Sequence, residues 1–217
     1  MKRVLLSTVV FMALLVSVGR VHLPATIDRE GFWRNPTLLD LFAPSVEGAY
    51  RATLVRSIQV GSIDMNGVTT KTATITAVTT SNAILYYNGQ SSVASTSPKT
   101  FARLALTNAT TVTCNVNASA GALPVFYTVT EFYPGVITSI QVGTITLNGS
   151  AIGTSTITSV LVAKSAVVTT GFTFNDVTFD ASFIPNTVLA SATTVATTTV
   201  AAPSFAVIAA FQVVQFK

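Results

Sequence analysis

The sequence predicts an all-β protein, with two tandem β-sandwich or jelly-roll-like domains preceded by an N-terminal arm that contains a short helix. Three observations lead to this prediction: an internal repeat, short runs of Val, Ile and Thr bounded by turn residues, and the lack of a helical period after residue 56. Hydrophobic residues make up 49% of the 217 residues and charged residues only 9%, whereas about 25% of an ordinary soluble domain is charged.

The internal repeat is the strongest of these signals. Residues 57–78 and 139–160 align without a gap at an offset of 82, and 13 of the 22 positions are identical. Further matches follow in the same order, at 106–112 with 189–195 and at 129–132 with 213–216. One Thr-rich match could arise by chance in this composition, but an ordered series indicates two copies of one unit.

The repeat sets the predicted domain boundaries. We expect an arm over 1–55, a first β domain over 56–133 and a second over 138–217, with Tyr133–Gly135 as the linker. We call the two copies repeat 1 and repeat 2. Strand signals recur every 8 to 12 residues in both, which is typical of a sandwich or jelly-roll-like fold.

Glycines mark the predicted turns and irregularities of each repeat. Asn66-Gly67 and Asn148-Gly149 separate apolar runs and predict hairpin turns, because Asn and Gly tolerate positive φ. Gly61 and Gly143 lie where the apolar residues change from one strand face to the other. That change predicts a β-bulge at each glycine.

The arm begins with an apolar run. Val4–Val18 follows Lys2 and Arg3, and its 15 residues are short for a membrane span, which needs about 20. A secretory signal is one interpretation. We expect instead a retained arm that packs into a partner chain, and no membrane span. Asn35 as a cap and Pro36 in the first turn predict a short helix that ends before Pro44.

No motif in the sequence predicts catalysis. His22 is the only histidine and lies in the arm, and Cys114 occupies an apolar strand position, which predicts a buried and unreactive thiol. Asp176 and Asp180 are too few for a calcium site. We therefore predict that the protein is not an enzyme and has no catalytic, cofactor-binding or metal-binding residues.

The charge pattern argues against nucleic-acid binding. The net charge is +4, but seven of the 12 basic residues lie within residues 1–56, and no dense basic patch with interleaved aromatics follows. Only five basic and four acidic residues remain over 57–217. Such neutral β surfaces are tolerated when other proteins cover them, so we predict partners that are proteins.

The order of the repeated blocks resembles a known group of proteins. SIQVGSI, then NG, TATITAV, LTNATTVT and a closing VTEF are similar to small β-domain repeats in tailed-bacteriophage virion proteins, over residues 56–217. The resemblance implies a structural role in the virion, with other capsid, neck or tail proteins and copies of the same chain as partners. The segment after Gly171 and the arm depart from the pattern.

The expected function is that of a capsid decoration or minor capsid protein located in the virion. A neck, collar or tail-surface component is the alternative within this class. Outside it, a secreted bacterial surface or adhesive β-protein remains open, and so does a carbohydrate-binding module with Tyr86, Tyr87 and Tyr127 as stacking candidates.

Two sets of residues are predicted to contact partners. The first is an attachment site in the arm, where arginines could bind carboxylates beside apolar anchors: Arg20, Arg29, Trp33, Arg34, Leu38, Leu39, Leu41 and Phe42. Packing of the arm on its own first domain is the alternative. The second is an aromatic interface in repeat 2 that consists of Phe172, Phe174, Phe179 and Phe183. The alternative is that these side chains fill the core of their own domain.

Overall fold

The computed structural model describes residues 54–91, 100–118, 122–175 and 181–217. The prediction of an all-β fold is confirmed, because these residues form twelve strands and only three helices, each a 3₁₀ helix of three residues. The predicted short helix and nearly all of the predicted arm lie outside the described residues. The described residues belong to one compact unit over 53–217.

Each repeat contributes six strands. Those of repeat 1 are β1 (Val55–Asp64), β2 (Thr70–Thr74), β3 (Ala83–Gln90), β4 (Arg103–Asn108), β5 (Thr111–Asn115) and β6 (Pro124–Phe132). Those of repeat 2 are β7 (Ile137–Leu147), β8 (Ile152–Thr156), β9 (Ser165–Phe174), β10 (Asn186–Ser191), β11 (Thr194–Thr198) and β12 (Val207–Phe216). The 3₁₀ helices span Thr80–Asn82, Val162–Lys164 and Ala181–Phe183.

The two repeats have the same strand order. In repeat 1 one sheet runs β1-β6-β3 and the other β2-β5-β4; in repeat 2 the orders are β7-β12-β9 and β8-β11-β10. All these pairings are antiparallel. Edge strands β4 and β9 also pair, at Arg103 and Gly171, so the sheets β2-β5-β4 and β9-β12-β7 join into one sheet of six strands.

A hydrophobic core fills the space between the two sheets of each repeat, which gives a sandwich-like packing. The core of repeat 1 contains Leu85 and Val129 from one sheet with Leu104 and Val112 from the other. The core of repeat 2 combines residues such as Phe211 and Val213 with Val195 in the same way. Alternation along the strands places these side chains on one face.

A third cluster joins the repeats, and we call it the inter-repeat cluster. Ile84 of repeat 1 is buried there against Ile137 and Val214 of repeat 2. Partly buried residues complete the inter-repeat cluster: Tyr86, Phe132, Val136, Ile140, Val168 and Phe216. The side chain of Gln212 adds a hydrogen bond, because its Oε1 accepts from the backbone N–H of Leu85 on edge strand β3 at 2.9 Å.

Side-chain contacts with the backbone also recur at equivalent positions. Gln59 binds both backbone groups of Thr76, accepting at Oε1 (2.7 Å) and donating from Nε2 (2.9 Å). Gln141 binds Thr158 with the same atoms at 2.7 and 2.9 Å. The matched sequence blocks therefore encode matched tertiary contacts, not only matched strands.

The predicted hairpins are wrong in one respect. Gly67 and Gly149 have positive φ values of 75° and 72°, as the Asn-Gly signal requires. However, the strands that flank each turn do not pair: β1 pairs with β6, and β2 pairs with β5. Each Asn-Gly turn carries the chain from one sheet of the repeat to the other.

The predicted bulges are wrong as well. β1 keeps a regular register with β6 through Gly61, and β7 keeps one with β12 through Gly143. The glycines make room for an aromatic ring, since a Cβ on Gly143 would lie 2.6 Å from Cζ of Phe211 and one on Gly61 would overlap the ring of Tyr127. The apolar residues before Gly61 face outward, which produced the apparent change of face.

Candidate protein-interaction surface

The outer face of strand β1 carries exposed apolar side chains. Ile58 and Val60 are 62% and 74% exposed, and Phe126 on the adjacent strand β6 is 42% exposed. Val60 pairs with Thr128 and Ser62 pairs with Phe126, so Phe126 lies diagonally next to Val60 on the same face. We call Ile58, Val60 and Phe126 the β1 strip.

The β1 strip is the uncovered half of a larger apolar face. Thr130 pairs with Ile58 on one side and with Ile84 on the other, so all three share one face of the sheet β1-β6-β3. Ile84 is only 1% exposed because the inter-repeat cluster covers it. Repeat 2 thus covers the β3 side of this face and leaves the β1 side open.

Strand β7 shows the same surface in a different environment. Ile140 is the equivalent of Ile58 at an offset of 82, and it packs in the inter-repeat cluster. Val142, the equivalent of Val60, is 64% exposed. An apolar pair at these two positions is therefore a property of the repeated unit, and at Ile140 the structure shows it used for packing between two copies of the unit.

β1 carries a charged residue near each end, Arg56 and Asp64, and Asp64 lies on the face of the β1 strip. Arg56 lies where the register of β1 with β6 shifts, between Val55 and Ser57. Asp64 accepts at Oδ1 from the backbone N–H groups of Leu123 (2.9 Å) and Asn66 (3.2 Å). The equivalents in β7 are the uncharged Thr138 and Thr146.

Arg56 also forms an ion pair within the chain. Its Nη1 lies 3.0 Å from Oε1 of Glu131, and the Arg56 side chain remains 53% exposed while that of Glu131 is 4% exposed. Ser57 donates to the same carboxylate at 3.3 Å, and the backbone N–H of Thr79 donates at 2.9 Å. These contacts hold the start of β1 against β6.

The environment of Glu131 favours its ionised form. Burial acts to raise its pKa, but the hydrogen bonds from Thr79 and Ser57 and the positive charge of Arg56 outweigh burial. The pKa of Glu131 therefore lies below its ordinary value of 4.5. In repeat 2 the equivalent residue is Gln215, which accepts from the backbone N–H of Leu161 at 3.2 Å without a charge.

A shallow groove lies where the two repeats meet on the six-stranded sheet. Its lining includes Arg103 and Asn115 of repeat 1 with Thr144 and Thr170 of repeat 2. Nε of Arg103 is buried and has no hydrogen-bond partner. The groove thus presents one positive charge among uncharged side chains.

The phenylalanines predicted as an interface lie mainly inside repeat 2. Phe174 is 1% exposed, and its ring centroid is 5.1 Å from that of Phe172, which stacks on Phe101 of repeat 1 at 5.0 Å. Phe183 contacts Phe205 edge to face at 5.0 Å. Phe179 lies outside the described residues. Contact of the partly buried Phe172 and Phe183 with another protein stays a prediction.

The predicted attachment residues, from Arg20 to Phe42, lie outside the described residues. Of the tyrosines considered for sugar stacking, Tyr127 is 4% exposed, Tyr86 packs in the inter-repeat cluster and Tyr87 packs against the core of repeat 1. Cys114 is buried as predicted, and burial raises its pKa to about 12. These placements assign no ligand site to the tyrosines or the thiol.

The described part of the chain contains neither a cluster of metal ligands nor a membrane-spanning helix. No group of three or more His, Cys, Asp and Glu residues there is arranged to hold a metal ion. Among the same residues, no helix has the length and apolar character needed to cross a membrane.

Comparison with known proteins gives no relative: no protein-family model, no curated protein and no solved structure matches this chain. The resemblance to bacteriophage virion repeats thus rests on the sequence blocks alone.

Sequence reasoning missed the β1 strip. The alternation of Ile58 and Val60 suggests a buried face ahead of a bulge, whereas both side chains point outward. A signal was present, because Ile63 and Met65 already supply the inward apolar positions of this part of the chain. If the segment is interpreted as one uninterrupted strand, apolar residues fall on both of its faces, and this pattern predicts that the outer face is covered.

Proposed function

We propose that this protein is a non-catalytic structural component of a bacteriophage virion, a capsid decoration or minor capsid protein. In this proposal each repeat forms one β-sandwich-type domain, the N-terminal arm attaches the chain to the particle, and the β domains contact copies of the same chain. Its partners are other virion proteins. A neck, collar or tail-surface position is the alternative within the same class.

The observation that carries the proposal is the combination of few charges with exposed apolar side chains on sheet faces. The described residues include seven charged ones: Arg56, Asp64, Lys71, Arg103, Glu131, Lys164 and Lys217. Ile58, Val60 and Val142 are each more than 60% exposed on strands. Such faces favour association with protein partners over isolation in water.

The internal duplication adds support. Packing of repeat 1 on repeat 2 through the inter-repeat cluster is an instance of one β unit docking on another within this chain. A protein that tiles a particle surface needs units of this kind, since identical units repeat identical contacts. The sequence resemblance is the reason for proposing a virion rather than another kind of assembly.

A secreted surface or adhesive β-protein is the competing function. The two differ in the fate of the apolar run Val4–Val18, which a secretory pathway would remove and an attachment arm would retain. Buried Tyr127 and the packed positions of Tyr86 and Tyr87 give little support to its carbohydrate-binding variant.

Deletion of residues 1–45 tests the attachment part of the proposal. We expect the truncated chain to be absent from purified particles while its far-UV circular dichroism still shows a β fold. A truncated chain that enters particles at the normal copy number would contradict attachment by the arm. An untruncated chain carrying Ile152→Ser, a change at an exposed side chain of β8, is the control for handling and expression.

A further inference from the structure

We propose that the shallow groove between the two repeats binds an acidic side chain of another protein, with Arg103 as the residue that pairs with its carboxylate. The lining of the groove includes Arg103 and Asn115 of repeat 1 with Thr144 and Thr170 of repeat 2. The inference rests on the proposed function in one respect, that the β domains contact other proteins, and it names the group that one contact site recognises.

The first argument is that Arg103 has no counter-charge. The other arginine of the described residues, Arg56, has a side chain that is 53% exposed and still forms an ion pair with Glu131. Arg103 is only half-exposed at most, and among the described residues its side chain forms no ion pair and no hydrogen bond. A partly buried charge without a partner is unfavourable, and an incoming carboxylate would compensate it.

The second argument comes from the internal repeat. Arg103 corresponds to Asn186 at the offset of 83 that relates β4 to β10, and Asn115 corresponds to Thr198. In each repeat the two residues face each other across the strand pair. The β unit therefore forms with an uncharged residue at this place, and strand pairing does not require the cation. The cation occurs in the copy whose edge strand meets β9 at the groove.

The third argument is the set of hydrogen-bond donors around Arg103. Asn115 lies directly opposite Arg103, and its Oδ1 accepts from Oγ1 of Thr70 at 3.0 Å, which leaves its amide N–H groups to donate elsewhere. Thr144 and Thr170 add hydroxyl groups from repeat 2. Among the described residues, the lining combines one cation with neutral donors and contains no acidic side chain. This set suits a group with one negative charge and two acceptor oxygens.

The size of the groove favours a protein side chain over a complete small molecule. Its volume is about 180 Å³, whereas sites for drug-sized ligands have about 300–1,000 Å³. One aspartate or glutamate side chain fits such a space, and the planar guanidinium can pair with both carboxylate oxygens. Asp64 and Glu131, the two acidic residues of the described part of the chain, accept hydrogen bonds elsewhere in repeat 1. The carboxylate therefore comes from outside this part.

NMR titration of the full-length, isotope-labelled chain tests the site directly. Because Nε of Arg103 is buried, its proton should exchange slowly and give a resolved signal, which is assigned by its loss in Arg103→Asn. The probe is a pentapeptide with blocked ends and one central glutamate. We expect a saturable shift of the signal, and at least tenfold weaker binding of the same peptide with glutamine in place of glutamate. Propionate, which reproduces the glutamate side chain alone, should bind more weakly than the glutamate peptide.

Two variants separate ligand binding from folding. Arg103→Asn, which introduces the residue of repeat 2, should abolish the shifts that the peptide causes in the backbone amide signals of Thr144 and Thr170. Its Tm should stay the same or rise, because a partly buried charge without a partner is removed. Lys164→Gln, which removes an exposed positive charge of repeat 2, is the control and should leave binding unchanged.

Three results would overturn the proposal: an Arg103 signal that does not move, equal binding of the glutamate and glutamine peptides, or tighter binding of propionate than of the glutamate peptide. None of these results depends on whether the chain is found in particles, so the two proposals fail separately.

Discussion

Gly171 of repeat 2 lies directly against the backbone of Ala102 in repeat 1. The N–H of Phe172 donates to the carbonyl oxygen of Ala102 at 3.1 Å, and a Cβ on Gly171 would overlap that oxygen. The φ of Gly171 is +105°, a value that L side chains rarely adopt. One residue without a side chain therefore permits the pairing of β4 with β9 that joins the two repeats.

Gly171→Ala should destabilise this junction. Gly89 is its equivalent in repeat 1, with φ of +106°, but a Cβ added there would meet no atom within 4 Å. Gly89→Ala thus introduces the same backbone strain, about 1–3 kcal/mol, without the overlap. We expect Gly171→Ala to lower the free energy of unfolding by at least about 1 kcal/mol more than Gly89→Ala in urea denaturation. Equal losses would mean that strain alone matters.

Glu131 should make stability depend on pH. Because its pKa is lower in the folded chain than the ordinary 4.5, its contribution is fully present above pH 4.5 and is lost as the pH falls through the folded pKa. Glu131→Gln should reduce Tm at pH 7 and flatten the fall of Tm between about pH 5 and pH 3. Differential scanning calorimetry across this pH range measures both effects. An unchanged acid-side slope in Glu131→Gln would contradict the assignment.

A buried hydroxyl pair distinguishes the two cores. Thr187 and Thr197 are hydrogen-bonded at 2.9 Å in repeat 2, where repeat 1 has Leu104 opposite Cys114. Thr197→Val should cost about 1–3 kcal/mol, because it leaves the Thr187 hydroxyl buried without this partner. The double variant Thr187→Val with Thr197→Val should regain most of that loss. Chemical denaturation of Thr187→Val, Thr197→Val and the double variant measures the three losses in unfolding free energy. Additive losses would exclude a shared hydrogen bond as the cause.

The thiol of Cys114 should be unreactive toward thiol reagents in the folded protein. Burial excludes reagents and raises its pKa to about 12, so the thiolate population at a mildly alkaline pH is negligible. An aromatic disulfide reagent should label only a small fraction of the thiol in the time that labels it fully in guanidinium chloride. Rapid labelling without denaturant would show that the core of repeat 1 opens readily.

The fold class followed from local patterns, because strand propensity and turn residues act over a few residues. The repeated blocks also predicted matched strands, and the structure extends the match to side-chain contacts such as Gln59 with Thr76 and Gln141 with Thr158. The partners of the strands were not predictable in this way. An Asn-Gly turn specifies a reversal of the chain, and whether the flanking strands pair or enter different sheets depends on distant strands such as β5 and β6.

Prediction of the exposed apolar surface also requires knowledge of residues that are distant in the sequence. Gly61 and Gly143 are required by the rings of Tyr127 and Phe211, which lie far along the chain from them. Without a bulge at Gly61, Ile58 and Val60 belong to the outer face, where repeat 2 covers Ile84 and Ile58 is exposed. Local sequence shows that such residues exist, and tertiary packing shows which remain free.

The most direct test of the proposed function is quantitative mass spectrometry of density-purified tailed particles from the source that encodes this chain. We expect peptides from both repeats at a fixed ratio to the major capsid protein, together with peptides from Val4–Val18 that show a retained arm. Absence of the chain from particles, with recovery of a form lacking residues 1–19 at the bacterial cell surface, would contradict the virion role and support a secreted β-protein.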